Sequence, residues 1–406
     1  MASHFQTCEL GDVAALYDSL HQTPKYTEDG YPMIRVTDIR RGSVDTTNAV
    51  RVDEETYSQF SKKHKPRIGD ILFSRVGSYG NSSYVSRNEE FCLGQNTVCI
   101  SPEKSQIEPT FLYFALNSDD LRHQIESLVG GASQGTISLK NIRKLQIPLP
   151  ALPIQQRIAG ILSAYDELIE NSQRRIKILE TMARSLYREW FVHFRFPGHE
   201  NHPRVSSPQG EIPQGWQVKK LGEITEDIRR NVPKGNLQEP QPFVGLEHIP
   251  RRSLALDAWD TVTELGSNKL AFKKGEVLFG KIRPYFHKVS VAPFNGLCSA
   301  DTIVIRALRQ EYYASVVACV SSDAFVAEAS ATANGAKMPR ANWDVLKNFP
   351  VVLPTGEIAD KFSALITDVV AQQQSLIFQI QNLRRTRDLL LPRLLSGQID
   401  VETIRP

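Results

Sequence analysis

The feature that most constrains this 406-residue chain is an internal duplication. Leu10-Gly11-Asp12 returns as Leu221-Gly222-Glu223, and Tyr31-Pro32-Met33-Ile34 returns as Gln241-Pro242-Phe243-Val244. Gly69-Asp70-Ile71-Leu72-Phe73 returns as Gly275-Glu276-Val277-Leu278-Phe279. Asn96-Thr97-Val98-Cys99-Ile100 returns as Asp301-Thr302-Ile303-Val304-Ile305, and Leu149-Pro150 as Leu353-Pro354. The offset drifts from 211 (Leu10 to Leu221) to 204 (Leu149 to Leu353), as for two copies separated by small insertions. Two copies of one domain make a pseudo-symmetric object, which suits a two-part target.

Each copy opens with short β-rich runs, in which apolar residues alternate or cluster over four or five positions. A helical stretch follows, Phe111 to Leu128 in the first copy and Glu311 to Ala329 in the second. A proline-punctuated strand closes each copy, Leu145 to Pro150 and Phe349 to Pro354. Then comes a long helical pattern. The first seam reads Ile158, Leu162, Tyr165, Ile169, Ser172, Ile176, Leu179, Ala183, Leu186 and Trp190. At an offset of 204 the second reads Phe362, Ile366, Val369, Gln373, Leu376, Ile380, Leu383, Arg387, Leu390 and Leu394. Alternating steps of four and three residues are the coiled-coil period. A helix of about 40 residues is roughly 60 Å long at 1.5 Å per residue, and neither can bury its stripe alone. Packing one on the other, antiparallel under the pseudo-two-fold, is the simplest solution. Pro392 should kink or end the second helix.

The expected fold class is therefore α+β: two pseudo-symmetric mixed α/β domains separated by two long antiparallel coiled-coil helices. The expected divisions are a first domain at 1–150, a helix at 151–196, a Pro/Gly/Ser/His-rich linker at 197–212, a second domain at 213–354 and a helix at 355–398.

Net charge is only +3, so any polyanion contact must come from local patches rather than a global field. No stretch reads as a signal peptide or a membrane span. The five cysteines form no Cys-x-x-Cys, which fits buried free thiols in a reducing cytoplasm. Catalytic constellations are missing: there is no Gly-x-x-x-x-Gly-Lys-Ser/Thr, no Pro-Pro dipeptide, no Glu-x-Lys and no His-Glu-x-x-His. His193, His199 and His202 cluster at the linker without the closed Cys/His set of a structural zinc site, and no metal ligands are assigned. A chain this long without such chemistry reads as a recognition or scaffolding protein, not an enzyme.

Cations and hydroxyls gather instead in the variable fronts. The first copy offers Arg40, Arg41, Lys62, Lys63 and Lys65, and the second offers Arg251 and Arg252. Such groups neutralise phosphates, although any one pair could equally be a solvated face. The loop after the Gly-Asp-Ile-Leu-Phe run carries Arg75, Ser78, Tyr79, Asn81 and Ser82. Its counterpart carries Lys281, Arg283, Tyr285, His287 and Lys288. Both place a cation two residues past the phenylalanine, then an aromatic, yet their chemistry differs. Arg and Lys pair with guanine, Asn with adenine and hydroxyls with either. Gln134, Lys337 and Arg340 lie on a second polar loop before the last strand of each copy, expected on the same rim.

Together these motifs resemble the specificity (S) subunit of type I restriction-modification systems. The resemblance rests on Gly69 to Gly77, on Leu149-Pro150 leading to Pro153-Ile154-Gln155-Gln156-Arg157-Ile158, and on Pro213-Gln214-Gly215-Trp216 opening the second unit. It rests also on Leu389-Leu390-Leu391-Pro392-Arg393-Leu394-Leu395-Ser396-Gly397. Two departures stand out. The first unit has no Pro-x-Gly-Trp opening, and the second helix starts Leu353-Pro354-Thr355-Gly356-Glu357 without the Gln-Gln-Arg of the first.

The resemblance implies two target recognition domains, each reading one half of a split, asymmetric site in double-stranded DNA. The paired helices would act as a ruler for the gap. It implies partners: two methyltransferase (M) subunits, which methylate adenine with S-adenosylmethionine, and restriction (R) subunits, which use ATP and Mg. None of these cofactors is expected on this chain, and no membrane partner is expected. Two alternatives stay open: the same reader serving a solitary adenine methyltransferase, and a coiled-coil protein-binding adaptor without DNA contact.

Overall fold

The computed structural model describes residues 5–130 and 135–403. It divides into two compact units, Met1–Leu168 with Leu383–Pro406, and Ile169–Asn382.

In the first unit a four-stranded antiparallel sheet runs in the order Ala14–Asp18, Thr97–Pro102, Ile71–Ser74, Ser82–Tyr84. In the second unit the order is Thr225–Asp227, Thr302–Ala307, Val277–Gly280, Val289–Val291. The register repeats as well. Ile71 faces Ile100 and Phe73 faces Val98, while Val277 faces Ile305 and Phe279 faces Ile303. A slip of one residue would turn every side chain to the other face, so the duplicated motif is a duplicated register. The central strand reads as an unbroken apolar run because it is buried on both faces. Ile71 and Phe73 pack with the helical layer, and Leu72 packs with Cys99 and Ile34 on the other side. Val277 and Phe279 divide from Leu278 in the same way.

A second sheet holds Val50–Val52, Tyr31–Ile34 and Cys92–Leu93, with Met33 paired in parallel to Cys92. The second copy keeps this parallel pair as Phe243 with Leu297 and adds two strands, Arg230–Val232 and Lys269–Phe272.

The helical stretch of each copy is broken where the sequence suggests one run. Pro109–Leu116 is followed by Asp119–Leu128, because Ser118 accepts from Leu121 N at 3.3 Å and caps a new helix. In the second copy Tyr313–Val320 is followed by Asp323–Ala331, with Ser322 as the cap. Among the described residues no single helix is long and apolar enough to cross a membrane.

The long helices span Leu152–Tyr187, continued by a π turn at Arg188–Val192, and Gly356–Leu395. None of the twenty seam positions is exposed. In the first unit Ile158 and Leu162 share an apolar cluster with Leu391, Leu394 and Leu395. In the second unit Ala183 and Trp190 share one with Phe362, Ile366 and Val370, the Trp190 ring lying 5.9 Å from Phe362. The start of one helix meets the end of the other in each unit, so the pair runs antiparallel. Pro392 does not end the second helix, which continues to Leu395. It sits exposed in the last turn, and the helix closes three residues beyond it.

The segment between the first helix and the second domain holds a hairpin, Arg204–Ser207 with Gly210–Pro213. Trp216 of the Pro-Gln-Gly-Trp motif anchors it by packing against Phe191, Phe194 and Phe196 at ring distances of 5.5, 5.8 and 5.1 Å. All five cysteines are free. Burial pushes the thiols of Cys92, Cys298 and Cys319 up to about 12.

Candidate nucleic-acid interface

Three loops meet in each copy. The loop after the central strand docks on the loop before the last helix and strand. Val76 bridges to Thr136, and Ile282 bridges to Arg340. Ile137 N donates to Arg75 O at 3.0 Å, and Ala341 N donates to Lys281 O at 3.0 Å. The third loop lies along the next strand. Ser43 bridges to Tyr84 while Ser83 Oγ donates to Arg40 O at 2.6 Å. In the second copy Ala255 bridges to Val291, and Ser290 Oγ donates to Ser253 O at 3.1 Å.

The second rim is the more cationic. Arg283 and Tyr285 are exposed, and Arg283 N donates to Pro339 O at 2.8 Å, which brings in the exposed Lys337, Met338 and Arg340. Arg340 is paired with Asp301 at 3.1 Å. The turn Pro284–Phe286 is flanked by two left-handed residues, Arg283 (φ 49°) and His287 (φ 52°). Such positions are unfavourable for side-chain-bearing residues and recur at functional sites. Phe286 lies under Arg251 at 4.0 Å and near Arg283 at 5.9 Å, so one ring aligns two guanidinium groups. Burial lowers the Lys281 and Lys288 ammonium groups from the usual lysine range, Arg229 adding to the effect at Lys281 and Arg251 at Lys288. Lys288 Nζ donates to Leu246 O, and Arg252 pairs with Asp323 at 2.8 Å.

The first rim is more polar. Ser78 is exposed, while Tyr79 and Asn81 are half-buried. Gly77 and Gly80 take φ of 71° and 82°, which a side chain would strain. Arg40 is exposed, and Arg41 lies 3.2 Å from Asp388. Gln134 lies outside the described residues.

Several candidates are turned inward, because a polar group in a β-rich front serves the fold as readily as a ligand. Ser82 is fully buried and accepts from Asn117 Nδ2 at 2.7 Å. His287 is buried and its Nε2 faces Ser321 O at 2.9 Å. Arg75 is held by both carboxylate oxygens of Asp18 at 2.8 Å and by Ile137 O. These three are engaged within the fold. Lys62, Lys63 and Lys65 are exposed, but they belong to the segment that enters the central strand, at the end opposite the loop carrying Arg75. Lys65 lies 5.2 Å over Tyr57. The paired aromatics Tyr285-Phe286 were the signal for the guanidinium stack at Phe286, which cation spacing alone does not reveal.

His64, Asp70 and Cys99 bring ligand-type atoms within 4.8 Å of one another. Asp70 accepts from Arg67 N at 2.8 Å and lies 2.6 Å from His64 Nε2, under a ring stacked on Tyr17. The matching Glu276 of the second copy is held by Arg230 instead, so the cluster is read as a turn lock of the fold.

Residues 2–181 match the family model described as the type I restriction modification DNA specificity domain. The chain is 25% identical over 312 residues to the type I restriction enzyme MjaIX specificity subunit of Methanocaldococcus jannaschii, covering 74% of this chain and 71% of that protein. It is 31% identical over 207 residues to the putative MjaX specificity subunit of the same organism, covering 49% and 48%. Its fold is similar to the crystal structure of a type I restriction-modification S subunit from M. genitalium, with a TM-score of 0.59 and 15% identity over 97% of this chain and 96% of that one. These relatives are named as specificity subunits. Residues 2–181 thus carry a match to the type I DNA specificity domain, and over most of its length the chain is similar to specificity subunits of type I restriction-modification systems.

Proposed function

We propose that the chain reads a bipartite, asymmetric site in double-stranded DNA, one half with each three-loop rim. The observation that supports this most directly is the repetition of the rim in register with altered chemistry: Ser78 and Asn81 in one copy, Arg283, Tyr285 and Lys337 in the other. One scaffold with two side-chain sets suits two different half-sequences. Arg283 and Arg251 supply charge for phosphates or guanine, and Ser78 and Asn81 supply the mixed donors and acceptors that adenine requires. The antiparallel helices act as the ruler between halves, and M and R subunits dock on the assembly. S-adenosylmethionine, ATP and Mg belong to those partners, so this chain supplies the address and not the chemistry.

Mapping methylated adenines in cells that carry this gene with M-subunit genes tests the proposal. The expected motif is two unlike half-sites around a fixed gap, and a contiguous or palindromic motif would reject it. Inserting one heptad into both helices adds about 10 Å at 1.5 Å per residue and should lengthen the gap without altering either half. A protein-binding adaptor would instead show no salt-dependent shift of a random duplex.

A further inference from the structure

The third loop of each rim is held by a long helix. In the first unit Arg41 Nη2 lies 3.2 Å from Asp388 Oδ1. Asp388 also accepts from Arg387 at 3.1 and 3.0 Å, and Arg387 pairs with Asp166 of the first helix. Gly42 N, next in the loop, donates to Tyr113 Oη at 2.7 Å. In the second unit Glu180, buried on the first helix, accepts from Ser253 Oγ at 2.6 Å, Leu254 N at 2.7 Å and Ala255 N at 3.3 Å. Arg184, one turn on, donates to Arg252 O at 2.9 Å.

These clamps are related by the duplication. Asp388 and Arg184 are 204 residues apart (388 minus 184), the offset of the two seams. Arg41 and Arg252 lie on corresponding loops, since Ser43 bridges to Tyr84 as Ala255 bridges to Val291. One helix position therefore holds one loop twice, with a carboxylate on a guanidinium in the first unit and a guanidinium on a carbonyl in the second. The connection is crossed along the chain. The loop of the first domain is held by the helix that follows the second, and the loop of the second by the helix that follows the first.

We propose that the clamps are positioning devices for base reading, and that Arg41 acts through Asp388 rather than on a DNA phosphate. The inference rests on the DNA-reading function above. Each clamped loop carries an exposed cation beside the clamp, Arg40 in one and Arg251 in the other. Arg251 is also the guanidinium stacked on Phe286. The Arg41–Asp388 pair has side-chain exposures of 35% and 50%, so it adds little to stability and its loss leaves the fold in place. What it supplies is direction: a guanidinium tied to a helix carboxylate fixes where the neighbouring cation points.

The test is a double-mutant cycle in the full complex with M subunits, using Arg41→Ala, Asp388→Ala and both together. Methylation is measured on the cognate duplex and on duplexes with one base changed in either half. Each single variant should lower discrimination in the first half about tenfold, the scale of one misplaced base contact, and leave the second half intact. The double variant should be no worse than either single, and the salt dependence should not change. Glu180→Gln should mirror this, with the loss confined to the second half. The proposal is overturned if Arg41→Ala weakens all sequences equally and lowers the salt slope by about one on either background, the signature of a phosphate contact. A wild-type complex indifferent to both halves would remove the reading function itself, and the clamp with it.

Discussion

At the start of its central strand each copy buries a carboxylate, and the two copies neutralise it differently. Asp70 accepts from Arg67 N at 2.8 Å and meets His64 Nε2 at 2.6 Å. Glu276 accepts from Lys273 N at 2.8 Å and from two nitrogens of Arg230 at 2.8 and 2.7 Å. The shared bond is to the backbone three residues earlier, which closes the turn into the strand. That turn explains why the duplicated motif keeps an acid after its glycine. The counter-group is local: Arg230 sits on a strand with no counterpart among the described residues of the first copy. The scaffold tolerates either solution because only the turn is shared.

The strongest way to break this contrast is to remove each partner. Arg230→Met strands Glu276, 5% exposed, and should cost about 3 kcal/mol in urea unfolding of the full chain. His64→Gln leaves a neutral donor within reach of Asp70 and should cost about 1 kcal/mol. Equal losses would show that the two locks are equivalent after all.

A second contrast lies at the helix starts. Gln155, fully buried, receives Glu108 N at 2.8 Å and donates to Gln106 O at 3.2 Å and Pro150 O at 2.8 Å. At the same place in the second copy stands Ala359, beside a pocket of about 420 Å³ lined by Lys219, Glu311, Tyr312 and Asp360. Gln155→Ala should therefore cost about 2 kcal/mol, since three buried backbone groups lose their partner. The reverse change, Ala359→Gln, should be near neutral by the same unfolding measurement.

The cation loops give a smaller effect. Arg283→Ala should weaken duplex binding by about 1 kcal/mol and lower the salt slope by about one. Arg75→Ala should change stability and leave the salt slope alone, because its guanidinium is bound to Asp18. Titration against salt separates the two.

The smallest difference is in pH. Burial lowers the His287 pKa from 6.5, with Arg252 and Arg184 adding to the shift and Ser321 O and Asp323 opposing it. The unfolded chain therefore takes up this proton first as pH falls through 6.5. The second unit should lose stability there and show no such term above it. The matching first-copy loop, residues 74–84, has no histidine, and His287→Asn should flatten the slope.

Much of this architecture was legible because duplication and heptad spacing are patterns of position, and position survives burial. The seam found from Ile158 to Leu394 is the buried face, and the repeated Leu-Phe runs pair in the same register. The break at Ser118 was not legible, because Phe111 to Leu128 keeps an apolar helical period across a residue whose capping role appears only when its hydroxyl meets Leu121 N. The rim was harder still. Arg75, Ser82 and His287 have the chemistry of ligand-facing residues, and only coordinates show that Asp18, Asn117 and Ser321 already occupy them. Sequence reports which groups are available, not which are engaged.

The crossed clamps bear on what a swap of one domain would carry with it. A transfer that replaces only the first 150 codons brings a new residue to position 41 but retains Asp388. Incoming segments that carry a basic residue there dock at once, and those that do not meet a helix with nothing to hold. Under the reading proposed above, a new half-specificity would depend on a carboxylate written about 350 codons away (388 minus 41), at Asp388.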